Sequence, residues 1–166
     1  MRGINHMNKI IFLTVGLFFV MIRPCCATDY TGDDLISLVS LTSATATQGK
    51  VTSMLGKPLK IEEGKKRTLW YYTHGNQNMV ISWNKESESL EKFFFTCAVA
   101  EKSVFDNSVA HKLKSGATDI LQALKLLGTP KDITIKEKTQ EMHYAYQEKV
   151  LRLFFRDRVL VDYCLY

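Results

Sequence analysis

The chain has few of the residues that usually announce chemistry. Only 4 of its 166 residues are cysteine, and two of these, Cys25 and Cys26, stand side by side near the start. The other two, Cys97 and Cys164, are isolated and have no C-x-x-C spacing, so they specify neither a redox centre nor a zinc site. Beyond His6, the histidines His74, His111 and His143 are scattered, with no H-x-x-x-H spacing for a metal. There is no G-x-S-x-G turn, no glycine-rich phosphate loop, and no histidine placed to activate a thiol. These absences exclude the common hydrolase, phosphoryl-transfer and metal-dependent classes. The chain reads as a non-enzyme with no cofactor and no metal.

Long apolar runs are missing too. The longest such stretch, Ile10 to Ile22, is 13 residues, short of the roughly 20 that a membrane span needs. With Arg2 and Lys9 before it and Cys25-Cys26-Ala27 after it, residues 1–27 read as a secretory signal peptide cleaved after Ala27. The expected location is periplasmic or secreted. The alternative is an outer-membrane lipoprotein, in contact with the membrane only through a lipid on Cys25 or Cys26. Arg23 and Pro24 precede Cys25 where a lipobox carries small residues, which favours simple cleavage. Cleavage removes Arg2, Lys9 and Arg23, leaving 19 basic residues against 17 acidic. A nearly neutral mature chain lacks the dense basic face that nucleic acid demands.

What the sequence does hold is an echo. "LGKP" at residues 55–58 returns as "LGTP" at 127–130, and the same shift of 72 residues places Asp34 on Asp106, Leu41 on Leu113, Tyr72 on Tyr144, Ile81 on Leu153 and Trp83 on Phe155. Past Trp83 the first copy carries two extra residues, after which a shift of 70 takes Leu90 to Leu160, Phe93 to Tyr163 and Phe95 to Leu165. Glycine, proline and aromatic spacing agree together, as in a tandem duplication. The expected boundaries are 1–27 for the signal peptide, 28–100 for the first repeat and 101–166 for the second.

Each copy opens with a short amphipathic helix, "DDLISLVSL" or "DNSVAHKLK", and continues with a second, "TQGKVTSML" or "TDILQALKLL". Gly56 and Gly128 can take the left-handed conformation that stops the second helix, and the following proline keeps it stopped. Alternating segments then predict strands: "RTLWYYT", "NMVISW" and "LEKFFFTCAV" in the first copy, "EMHYAY", "KVLRLFF" and "RVLVDYCLY" in the second. "HGNQN" supplies hairpin chemistry between the first two. "LKIEEGKK" and "KDITIKEK" are candidates for a fourth strand. The expected fold class is α+β: a tandem repeat of two helices plus a three- or four-stranded antiparallel meander, the sheets joined into one curved sheet with helices on one face.

The order of helix, L-G-x-P, aromatic strand, hairpin and apolar-aromatic strand resembles the SmpA/OmlA outer-membrane assembly lipoprotein domain. Two such units in one secreted chain are similar to the β-lactamase inhibitor protein (BLIP) fold. The resemblance covers about residues 33–166. It implies a non-enzymatic periplasmic or extracellular module that binds protein through the face of its sheet.

Strand parity sorts that sheet without the family. Trp70, Tyr72, Met79, Ile81, Trp83, Phe93 and Phe95 fall on one face, with Met142, Tyr144, Leu151, Leu153, Phe155, Val161, Tyr163 and Leu165, and should meet the helices. The opposite face carries Tyr71, Val80, Ser82, Lys92, Phe94, His143, Arg152, Phe154, Asp162, Cys164 and Tyr166. Rings mixed with single charges are what protein-binding surfaces collect. The partner-binding candidates are Tyr71, Val80, Phe94, His143, Arg152, Phe154 and Tyr166. Their occupant is a separate protein, which the chain could serve as an inhibitor, or a second copy in a homodimer. An envelope assembly role, lipid-anchored, is the alternative. Cys97 and Cys164 fall on opposite faces, so no disulfide between them is expected.

Overall fold

Alternating apolar positions dominate the chain, and in the computed structural model they become a single sheet of eight antiparallel strands in sequence order. Residues 30–41, 45–97, 107–146 and 149–166 are described. The expected signal peptide, its cleavage site and both candidate lipidation cysteines lie outside them. The elements are α1 (Gly32–Ser40), α2 (Gln48–Leu55), β1 (Lys60–Glu63), β2 (Arg67–His74), β3 (Gln77–Asn84) and β4 (Leu90–Cys97), followed by α3 (Asn107–Ala110), α4 (Ile120–Leu127), β5 (Asp132–Lys136), β6 (Thr139–Tyr146), β7 (Lys149–Arg156) and β8 (Val159–Leu165). None of the described helices is long and apolar enough to cross a membrane.

Local chemistry fixes the helix ends. Thr31 caps α1 in a reciprocal box with Asp34, and Asp119 does the same for α4 with Gln122. Thr47 caps α2. Gly56 (φ 78°) and Gly128 (φ 77°) end α2 and α4 in a backbone conformation that side chains oppose.

One expected helix is largely absent. "DNSVAHKLK" was predicted to be helical over Asp106 to Lys114, but α3 is a single turn. The next segment is held elsewhere: Gly116 donates to the Leu160 carbonyl, and Leu160 donates to that of Thr118. The chain leaves the helix to lie along β8, so a repeated unit of two full helices does not describe the second half.

All helices pack on one face of the sheet. Leu35, Leu38, Val39 and Val51 from α1 and α2, and Ile120, Ala123, Leu124 and Leu127 from α4, join Trp70, Tyr72, Met79, Ile81, Trp83, Phe93, Phe95, Ile133, Met142, Tyr144, Leu151, Leu153, Phe155 and Leu160 in one core. The two candidate fourth strands exist, as β1 at one edge of the sheet and β5 at its middle.

Three core expectations need correction. Register shifts lie between Ser82 and Trp83 and between Phe154 and Phe155, leaving Glu91 and Val161 as bulge residues without a partner of their own in the register. Val161 is therefore displaced from the helix side and is exposed. Tyr163 and Leu165 pair with Leu153 and Leu151, on the helix side as expected, yet both are exposed because β8 is the outermost strand. Ser82 sits on the opposite side as expected but is buried, its hydroxyl donating to Glu91. Cys97 packs against the core, Cys164 is exposed, and no disulfide joins them.

Equivalent tyrosines differ in how their hydroxyls are treated. The Tyr144 hydroxyl donates to the Gly128 carbonyl at 3.2 Å. Its counterpart on Tyr72 is buried without a partner, and so is that of Tyr30, whose ring packs edge-on against His74 with centroids 4.5 Å apart. An unpaired buried hydroxyl opposes folding, whereas a bonded one contributes about 1 kcal/mol.

Two predictions follow from this packing. Trp83→Ala removes a fully buried indole and should cost about 3–5 kcal/mol in chemical denaturation, while Phe94→Ala, on the half-exposed side, should cost far less. Tyr72→Phe should leave stability unchanged or raise it, and Tyr144→Phe should lower it by about 1 kcal/mol. Burial pushes the Tyr72 phenol from 10.0 up to about 12. Below pH 10 the group is neutral whether the chain is folded or not. Between there and about 12 only the unfolded chain ionises, so the wild type should lose stability across that window faster than Tyr72→Phe.

Candidate functional site

The face away from the helices is built one residue in two from every strand. Register places Lys60, Tyr71, Val80, Phe94, Thr134, Glu141, Phe154 and Asp162 side by side, one from each of the eight strands. A second row runs Thr73, Asn78, Thr96, Asp132, His143, Arg152 and Cys164. Four of the seven sequence-predicted residues, Tyr71, Val80, Phe94 and Phe154, lie in the first row. His143 and Arg152 lie in the second. Tyr166 follows β8 and exchanges backbone hydrogen bonds with Val150, beside the second row. All but Tyr166 are half-buried, and no described element lies over them.

Sequence reasoning passed over the residues that fix these side chains in place. The carboxylate of Glu141 accepts from Arg152 Nε and meets His143 Nε2 at 2.6 Å, while His143 Nδ1 meets Asp132 at 2.8 Å. Arg152 also stacks over the Phe154 ring, 4.5 Å from its centroid. At the other end of the face the Tyr71 hydroxyl donates to Glu62 at 2.7 Å, and Lys60 lies over the Tyr71 ring. Arg152, Phe154 and Tyr71 are thus held in set positions. That matters for recognition, because a fixed ring or guanidinium loses less entropy on binding. The signal for Glu141 was present: parity from Met142 puts it on this face, and Ile133 and Ile135 put Thr134 there.

Partial burial of Glu141 raises its pKa, but the hydrogen bonds from Arg152 and His143 outweigh it and hold the carboxyl below its ordinary value. The bond to Glu141 raises the Arg152 pKa in turn. Among the described residues no group of histidine, cysteine and carboxylate side chains could hold a metal. The face offers rings, one guanidinium and fixed carboxylates.

No protein-family model and no curated protein sequence matches the chain. Among solved structures, a candidate β-lactamase inhibitor protein from Streptococcus mutans superposes with a TM-score of 0.53 at 14% identity, over 82% of this chain and 98% of that one. A DUF4309 family protein from Bacillus subtilis aligns at a TM-score of 0.31 and 16% identity, over 81% of this chain and 93% of that one. The chain therefore has a BLIP-like fold. Nothing in these likenesses speaks for the SmpA/OmlA resemblance.

The carboxylate of Glu141 supplies a test of the fixed cluster. Because its folded pKa is lowered, its contribution to stability is present above about pH 4.5 and is lost as pH falls through the folded value. Glu141→Gln should lower stability at pH 7 by at most about 1 kcal/mol, the range for half-exposed pairs, and the difference from wild type should shrink below pH 4, measured by urea melts.

Proposed function

We propose that the chain is a secreted or periplasmic protein-binding module whose partner docks on the helix-free face of the sheet, with Tyr71, Val80, Phe94, His143, Arg152, Phe154 and Tyr166 in the contact. The observation that carries this reading is the unbroken row from Lys60 to Asp162, in which Tyr71, Val80 and Phe94 on three adjacent strands, and Phe154 further along, lie half-exposed among polar and charged side chains. Half-exposed rings beside a fixed guanidinium are the composition of binding hot spots. The BLIP-like fold of the Streptococcus mutans protein, described as a candidate β-lactamase inhibitor, supports inhibition of a protein partner as the form this binding takes. The leader-like residues 1–27 support export, and Cys25 and Cys26 support a lipid-anchored envelope component as the second reading.

We further infer that the two halves descend from one unit. The matched stops at Gly56 and Gly128 and the matched bulges at Glu91 and Val161 support this.

Tyr71→Ala combined with Phe154→Ala should abolish capture of the partner from envelope or secreted extract, and should leave the thermal melt within a few degrees of wild type. Inhibition is checked with the same pair: the wild-type chain, but not the variant, should slow hydrolysis of a chromogenic β-lactam by a sensitive β-lactamase. Normal capture by a folded variant would place the interface on the helices or on the His74–Asn78 hairpin. Capture without inhibition would leave a binding module that is no β-lactamase inhibitor.

A further inference from the structure

The last strand of each half meets a different fate. In the first half β4 is paired along its outer edge by β5, with Phe93 opposite Ile135 and Phe95 opposite Ile133, and Phe93 and Phe95 are 3% and 0% exposed. β8 holds the same place in the second half, but no described strand pairs with its outer edge. Tyr163 and Leu165, the counterparts of those phenylalanines, are 47% and 43% exposed.

The free part of that edge is short and well defined. Between Arg158 and Val161 the outward backbone groups are already used: Ile120 donates to the Arg158 carbonyl, Gly116 to that of Leu160, and the Ser115 hydroxyl to that of Val161. Tyr166 exchanges both backbone bonds with Val150 on β7, so by the alternation of an antiparallel ladder Cys164 and Asp162 also face β7, and Tyr163 and Leu165 face outward. Of these outward groups only the Tyr163 N–H has a partner, the side chain of Asp162 at 2.8 Å. Natural edges are usually blunted by charge. β1, the opposite edge, is blunted in this way by Lys60, Glu62 and Glu63, whereas from Tyr163 to Leu165 β8 carries no charged side chain.

We propose that this edge pairs with the same edge of a second copy, making a two-fold dimer through antiparallel β8 strands centred on Cys164. The segment is its own complement. With Cys164 opposite Cys164 of the second copy, Tyr163 falls opposite Leu165, and these are the residues with outward hydrogen-bonding groups, so each pair can exchange two bonds. Tyr163 and Leu165 then cover each other on the helix side. Asp162, the single charged side chain in the window, falls opposite Tyr166, and the two Asp162 side chains stand at opposite ends of the ladder. The segments held against Arg158 to Val161 border the window at both ends. The arrangement is closed and stops at two copies. It is independent of the partner-binding reading, and would join two helix-free faces into one surface.

Cys164 reports the register. A non-hydrogen-bonded antiparallel pair has Cα atoms about 4.5 Å apart, within the disulfide range of about 4.4–6.8 Å. With Cys25 and Cys26 also replaced by Ser, diamide oxidation of the Cys97→Ser variant should give a covalent dimer, and of the Cys164→Ser variant should not. Sedimentation equilibrium of the unmodified protein should give a dimer that Tyr163→Lys with Leu165→Lys reduces to a folded monomer. Should that variant misfold, amide exchange on the wild type decides: the Tyr163 and Leu165 amides should become more protected as protein concentration rises. A wild-type monomer, assemblies larger than two, a dimer untouched by the lysines, or no Cys164 cross-link would each overturn the proposal. A larger assembly would indicate pairing of β8 with β1 instead.

Discussion

The antiparallel seam between β4 and β5 is the interaction on which the rest of the molecule depends, because it joins two four-stranded meanders into a single sheet. It sets Phe94 beside Thr134, and thereby carries the row of Tyr71 and Val80 across to Glu141 and Phe154. It also seats Phe93 and Phe95 against Ile135 and Ile133, so the cores under the two halves become one. Without the seam each half would expose an apolar edge of its own. A four-stranded sheet covered by one or two short helices would be marginal in water.

Much of this was legible in the sequence, and the parts that were not share a cause. Period-two alternation placed Trp83, Met79, Ile81, Met142, Tyr144 and Phe155 in the core, and placed Tyr71, Phe94, Arg152 and Phe154 on the other side, because parity is a local property of a strand. Gly56 and Gly128 marked the helix ends for an equally local reason. Parity mistook Val161, because a bulge shifts the count by one and leaves no mark in composition. It mistook the burial of Tyr163 and Leu165 because facing the helix side protects a residue only when something packs over it. The helix expected over Asp106 to Lys114 stops after one turn, closed by the tight bonds from Lys112 to Val109 and from Leu113 to Ala110, and the segment after it is held to β8, some 45 residues away in sequence, a destination that no local pattern can announce. The charged supports, Glu141 and Asp132, were missed because a carboxylate on an exposed face reads as solvated until its partners are known.

The helix-free face and the core make different demands on similar residues. In the core, Trp83 and Tyr72 bury polar atoms that have no partner, and what they contribute there is packing. On the open face nearly every polar group of the central cluster is paired, so that Arg152 and Tyr71 are held by carboxylates and not left to move freely. A side chain already held in this way has less freedom to lose, which is what the proposed docking on this face would use.

The order of the strands also governs how the chain can reach this shape. Within each half every ladder closes through a turn of a few residues, so each meander can zip from its own hairpins on a fast timescale. Between β4 and β5, by contrast, the chain runs from Cys97 to Asp132 and includes α3 and α4 on the way. That excursion is the one distant closure in the sheet, and its entropy grows only slowly with length. The local hairpins can therefore form before the seam does, but neither half is secure until the seam closes. Until it closes, β4 and β5 are both open edges in a chain rich in phenylalanine, and that interval is when the protein is most exposed to pairing with the wrong strand.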